Sequence, residues 1–146
     1  MLALYKLLPS LLWAFSFIWK IIKTKNMNIE NLREYCLSIG PVMEETPFGP
    51  DTLVFKVGGK IFLLVGLDQI DELRFNVKCD PERTVELRER YEHTVLPGYH
   101  MNKKHWNTVV ANRELDDRKL EELILHSYQL IVESLPGKIK QEIRGL

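Results

Sequence analysis

Cysteine is scarce in this chain of 146 residues, which holds only Cys36 and Cys79. Two cysteines make no disulfide framework, and neither sits in the CxxC or Cys/His spacing that a zinc site uses. Cys36 falls on the apolar stripe of an expected helix and Cys79 on the apolar face of an expected strand. Both therefore read as buried, reduced thiols, which suits a reducing cytoplasm. Long apolar runs are missing too: the longest uncharged stretch, Leu7 to Trp19, has 13 residues, against the about 20 that a spanning helix needs. Excess charge of one sign is also absent, because 20 Lys+Arg balance 20 Asp+Glu. The distribution is uneven, with four lysines and no acid in residues 1–26, leaving a net charge of −4 on residues 27–146. Binding that depends on a basic excess over the whole domain is excluded, so any polyanion contact must come from a local patch.

Catalytic signatures are equally few. No GxSxG elbow, phosphate-cradling GxxxxGK[ST] or GxGxxG loop, or HExxH pair occurs. We expect no catalytic constellation, no metal and no cofactor. A metal on His100 and His105 fails because a spacing of five directs them to opposite faces, and no carboxylate lies between them.

The elements are easier to place. Ile29, Leu32, Cys36 and Ile39 recur at helical spacing, Asn28 is a plausible N-cap, and Gly40-Pro41 stops the helix. Glu44 to Asp51, with two prolines and a glycine, is expected to be an irregular loop. Leu53–Val57 and Lys60–Leu67 flank Gly58-Gly59, the chemistry of a type I′ hairpin turn. Leu73–Cys79 alternates as a strand with one packed face. Asp80-Pro81 opens a charged helix to about Tyr91. Trp106–Ala111 reads as another strand. Asp116 or Asp117 caps a last long helix whose inner stripe is Leu120, Leu123, Ile124, Ser127, Ile131 and Leu135. Pro136-Gly137 ends that helix, and residues 138–146 read as a basic-leaning tail. The expected fold is α+β, an antiparallel sheet of four or more strands with helices packed on one face.

Residues 1–26 stand apart as an apolar leader with lysines at its margins. Three readings compete: a start dispensable to the domain that opens at Met27, a membrane-surface anchor using Trp13, Phe15 and Trp19, or a secretion signal without a small-residue cleavage site. Membrane contact is expected only through this leader.

Composition shifts abruptly at Tyr99–Asn107, where two lysines, two histidines, two aromatics and two asparagines fall within nine residues. Lys103 and Lys104 suit phosphates, Asn102 and Asn107 can donate hydrogen bonds, and Tyr99 or Trp106 can stack on a base. His100 and His105 complete the set. The competing reading is that the rings anchor the core while the lysines merely solvate a hairpin tip.

The stretches Thr46-Pro47-Phe48-Gly49-Pro50-Asp51 through Gly58-Gly59-Lys60, then Pro97-Gly98-Tyr99-His100-Met101-Asn102-Lys103-Lys104-His105-Trp106, then His126-Ser127-Tyr128, resemble the MmcQ/YjbR family in order and spacing. The resemblance spans Met27 to about Lys140. It implies a CyaY-like fold and a DNA-binding role with a double-wing arrangement, and no accepted enzymatic reaction. It singles out Phe48, Gly49, Gly58, Gly59, Pro97, Gly98, Tyr128 and every residue from Tyr99 to Trp106. The acidic first helix through which frataxin, a relative of that fold, binds iron is missing here, since Glu30 and Glu34 are balanced by Arg33. Three functions follow. The first is DNA binding by the 99–107 segment, with the Gly58-Gly59 turn as a wing and Lys138, Lys140 and Arg144 assisting. The second is binding of a protein or small anionic ligand by Tyr99, His100 and Trp106. The third is an enzyme using His100 or His105 as a general base, which rests on residue type alone.

Overall fold

Gly58 and Gly59 both adopt positive φ, +56° and +80°, which a type I′ turn demands and which side chains with a Cβ resist. The turn closes β2 (Thr52–Val57) onto β3 (Lys60–Gly66), as expected from the glycine pair. A computed structural model describes residues 11–16, 18, 26–69 and 71–145. Around the hairpin it builds a six-stranded, wholly antiparallel sheet in the order β1-β2-β3-β4-β6-β5. The remaining strands are β1 (Val42–Glu45), β4 (Arg74–Lys78), β5 (Val95–Pro97) and β6 (Trp106–Val110).

Four helices follow the chain: α1 (Ile29–Ser38), α2 (Pro81–Arg90), α3 (Asp117–Glu133) and α4 (Gly137–Arg144). Each expected cap is in place. Asn28 and Asn31 form a reciprocal box, Asp80 accepts from the Glu82 and Arg83 amides, and Asp116 accepts from the Lys119 amide. The stripe expected on α3 is buried throughout and packs on Phe55, Phe62, Leu63, Phe75, Val77 and Val109. Phe62 meets Tyr128 edge-to-face at 5.4 Å. Cys36 and Cys79 are free and buried, in agreement with the sequence reading.

Three expectations are corrected. Glu44 and Glu45, expected to open the loop, instead end the edge strand β1, which pairs with β2. Its two glutamates hide an edge-strand signature, because Glu44 pairs with Arg33 and Glu45 with Lys56, and charge is how edges resist further pairing. Val95–Pro97 is a strand that three residues ending in proline could not announce. It occupies the other edge, where a missing ladder donor is tolerated. Residues 137–144 form α4 rather than a tail, since Ile143 packs on the core cluster and Ile139 approaches Gly58.

Residues 11–16 are helical and Trp13 is exposed. Most of residues 1–26, and so the choice among the three readings of the leader, lies outside the described residues. Among the described residues no helix is long and apolar enough to cross a membrane.

Candidate functional site

The segment between β5 and β6 is short of regular structure but well tied. The Gly98 amide donates to the Trp106 carbonyl at 2.9 Å. Asn102 organises the turn that follows: its carbonyl accepts from the His105 and Trp106 amides, and its side-chain oxygen accepts from the Lys104 amide at 3.0 Å. Arg88, on α2, grips the segment from the helix side. Its guanidinium donates to the Lys103 carbonyl at 2.5 Å, the Trp106 carbonyl at 3.0 Å and the Asn107 side-chain oxygen at 2.9 Å. Partial burial lowers the pKa of Arg88 from its ordinary value. The sequence reading missed this arginine, since nothing in a charged helix distinguishes one arginine from its neighbours.

This construction sorts the expected contact residues. Lys103 and Lys104 are exposed and form no ion pair among the described residues; the Lys103 ammonium reaches only the Gly98 carbonyl, at 3.3 Å. Tyr99 is 70% exposed, and its ring lies 4.0 Å from that of His100. His105 and Trp106 are half-buried. Asn102 is engaged in its turn. Asn107 is 1% exposed and faces the helices, bonded to Thr84 and Arg88, because alternation along β6 turns it inward with Val109. Lys138 and Lys140 ride on α4, which docks at the β2–β3 turn, with β4 lying between that hairpin and β6. Lys140 lies 3.7 Å from the Glu133 carboxylate, which also holds Arg144. Tyr99, His100, Lys103 and Lys104 thus share one outward-facing loop with the exposed Asn102, whose side-chain oxygen is held in the turn; Asn107 faces the helices, Lys140 is held by Glu133, and Lys138 stands exposed on α4 with no ion pair among the described residues.

All four helices leave one face of the sheet open, and here the first two sequence motifs meet. Register aligns Val54, Leu64, Asn76, Thr108 and Leu96 across five strands. The Tyr99 amide donates to the Thr108 hydroxyl at 2.9 Å, which in turn donates to the Asn76 side-chain oxygen at 2.6 Å. These bonds fold residues 99–101 back over the open face. The result is a concavity of about 760 Å³ with Leu64, Leu96, Asn76 and Thr108 in its floor and Phe48, Tyr99 and His100 on its rim. Phe48, between Pro47 and Gly49, is 66% exposed. Arg74 and Asp68 also line the concavity. Arg74 is held by Glu72, whose carboxyl is kept below the usual range by its hydrogen bond to Arg74 and by Arg113.

The third motif serves the fold. Ser127 is fully buried between backbone groups of β3 and β4. The Tyr128 hydroxyl fills the space beside Gly40, where a Cβ would come within 2.1 Å of it. His126 accepts through Nε2 from the Asp80 amide at 3.2 Å. Burial, and next the nearby Arg83, hold its pKa below the ordinary imidazole value, with Asp80 opposing. The folded state therefore prefers neutral His126, and its contribution is complete above the unfolded-chain value of about 6.5 and is lost as pH falls through the lower folded value. Between about pH 7.5 and about pH 5.5, wild type should lose more stability to denaturant than His126→Gln. Equal losses in the two proteins would exclude this origin.

The fold and loop define a class: a single antiparallel α+β domain with helices on one sheet face and a tied, cation-bearing loop beside the other. The chain belongs to the YjbR family, whose model matches residues 37–130. It is 40% identical to YbdF of Escherichia coli O157:H7 over 102 residues, covering 67% of this chain and 79% of that protein. It is 29% identical to YjbR of Escherichia coli strain K12 over 110 residues, covering 75% of this chain and 92% of that one. A crystal structure of a Deinococcus radiodurans protein with a DUF419 domain superposes with a TM-score of 0.76 at 36% identity, covering 82% of this chain and 89% of its own. A Pseudomonas syringae protein structure does so at 0.61 with 28% identity, covering 71% and 98%.

Proposed function

We propose that this protein binds DNA without catalysing a reaction, in the cytoplasm, and that its contact surface is the loop from Gly98 to His105. One observation carries the reading: two adjacent lysines, Lys103 and Lys104, stand exposed with no carboxylate partner among the described residues, on a loop whose carbonyls are clamped by Arg88. A clamped loop loses little conformational entropy when it meets phosphates, so few charges suffice for measurable binding. Tyr99 and His100 place rings beside the cations. The absence of a basic excess over the domain limits the contact to three or four cations, a salt slope on the order of −3 to −4. Lys140 and Arg144 contribute little to that number while Glu133 holds them.

Nucleophilic chemistry finds weak support in the thiols. Burial pushes Cys36 up to about 12 and also raises Cys79, which suppresses both thiolates. A small, multiply charged anion suits the concavity poorly, because Arg74 is already held by Glu72 and Asp68 lies on the same wall.

The test is fluorescence anisotropy with labelled DNA across a salt series. The double variant Lys103→Ala/Lys104→Ala should weaken binding by roughly tenfold on every sequence and reduce the salt slope by about 2. Unchanged affinity and slope would remove this loop from the interface.

A further inference from the structure

We infer that the open-face concavity receives unstacked nucleobases, so that the protein prefers single-stranded DNA to duplex; this rests on the DNA-binding reading above. Exposed apolar side chains gathered in one place, unlike scattered single ones, mark binding surfaces, and here Phe48 and Tyr99, 66% and 70% exposed, stand on the rim of one concavity. They come from different parts of the chain, and the hydrogen bond that the Tyr99 amide donates to the Thr108 hydroxyl holds its segment in place over the sheet. Rings fixed at the edge of a hollow offer stacking surfaces to separate, splayed bases, whose flat faces a duplex keeps covered.

The floor matches the same ligand. Leu64 and Leu96 present apolar surface to a base face, while Asn76 and Asp68 supply groups for a base edge. The Asn76 amide donates only a long 3.5 Å bond to the Tyr99 carbonyl, so exchanging it for a base acceptor costs little. Asp68 is exposed and forms no ion pair among the described residues, and a carboxylate accepts readily from an exocyclic amine. Charge completes the fit. Lys103 and Lys104 follow Tyr99 and His100 on the same loop, which sets ammonium groups for the backbone next to rings for the bases. An acidic or purely apolar peptide would use one of these features and leave the other idle.

The experiment compares a short labelled single strand of mixed sequence with its duplex at equal salt, using the full chain and three variants. Phe48→Ala and Tyr99→Ala remove exposed rings and should leave the thermal midpoint near wild type. Single strand should bind roughly tenfold tighter than duplex, and each ring variant should lose roughly tenfold on the single strand with little change on the duplex. Lys103→Ala/Lys104→Ala should weaken both forms. Ring variants that bind single strand as wild type does, or a preference for duplex, would overturn the base-binding inference while leaving DNA binding intact. Failure of both forms to bind at low salt would end both readings.

Discussion

Ser127→Ala should cost about 2–5 kcal/mol, because it strands two buried backbone groups. The Ser127 hydroxyl donates to the Phe62 carbonyl at 2.6 Å and accepts from the Lys78 amide at 2.7 Å. Phe62 and Lys78 stand opposite each other one step past the last β3–β4 pair, and the hydroxyl bridges them where a direct ladder bond is absent. Phe62 is the extra residue at the register shift where Phe55 faces Leu63 but Lys56 faces Ile61, so β2 offers it nothing. Lys78 lies one residue past the last β3–β4 pair, Leu63 with Val77. Bulges need an outside group to satisfy what the ladder releases, and a fully buried hydroxyl on α3 supplies it. Measured by urea denaturation, the loss would be a large fraction of the 5–15 kcal/mol typical of a domain. The exposed Ser134, whose hydroxyl donates to the Ile131 carbonyl one turn back and accepts a long 3.5 Å bond from the exposed Lys60 ammonium, provides the contrast: its alanine variant should change stability by less than about 0.5 kcal/mol. Equal effects at the two serines would refute the bulge account.

Gly98→Ala should destabilise the domain by about 1–3 kcal/mol through crowding and should weaken DNA binding with it. A Cβ there would lie 2.8 Å from the Trp106 carbonyl oxygen and 2.9 Å from the Trp106 Cβ. Retreat is blocked, because that same carbonyl accepts from the Gly98 amide and from Arg88. Relief therefore requires β5 and β6 to part, which moves the carbonyl that holds the Lys103 ammonium. Denaturation and anisotropy should report parallel losses. At Gly59 the surroundings are empty and only the positive φ resists a side chain, so Gly59→Ala should cost about 1 kcal/mol and leave binding unchanged. Wild-type binding by a destabilised Gly98→Ala would separate this turn from the site.

Much of the fold was legible in local chemistry. The hairpin followed from two consecutive glycines, the starts of α1, α2 and α3 from Asn28, Asp80 and the Asp116-Asp117 pair, and the α3 stripe from its spacing. The missed elements were those with weak local signals. β1 carries more charge than apolar surface, β5 is three residues long, and α4 follows a Pro-Gly pair that reads as a stop. Their stability comes from neighbours: β2 for the first, β6 for the second, the hairpin turn for the third.

The candidate site divided in the same way. Composition alone marked Tyr99 to Asn107, and the structure keeps Tyr99, His100, Lys103 and Lys104 together on the surface. It turns Asn107 inward, since the parity of β6 is set by its register with β4. It commits Asn102 to a turn and gives Lys140 and Arg144 to Glu133. No local signal could reveal that Phe48 and Tyr99 border one concavity over the open face, or that Arg88 is the clamp, because those placements join residues far apart in the chain.

Sequence by itself determined where this chain turns, caps and buries its apolar faces, because backbone freedom and side-chain periodicity act over a few residues. Only tertiary structure decided which polar side chains remain available to a partner. That depends on which long-range hydrogen bond or ion pair captures each group first, and the capture is set by the pairing of strands and the packing of helices.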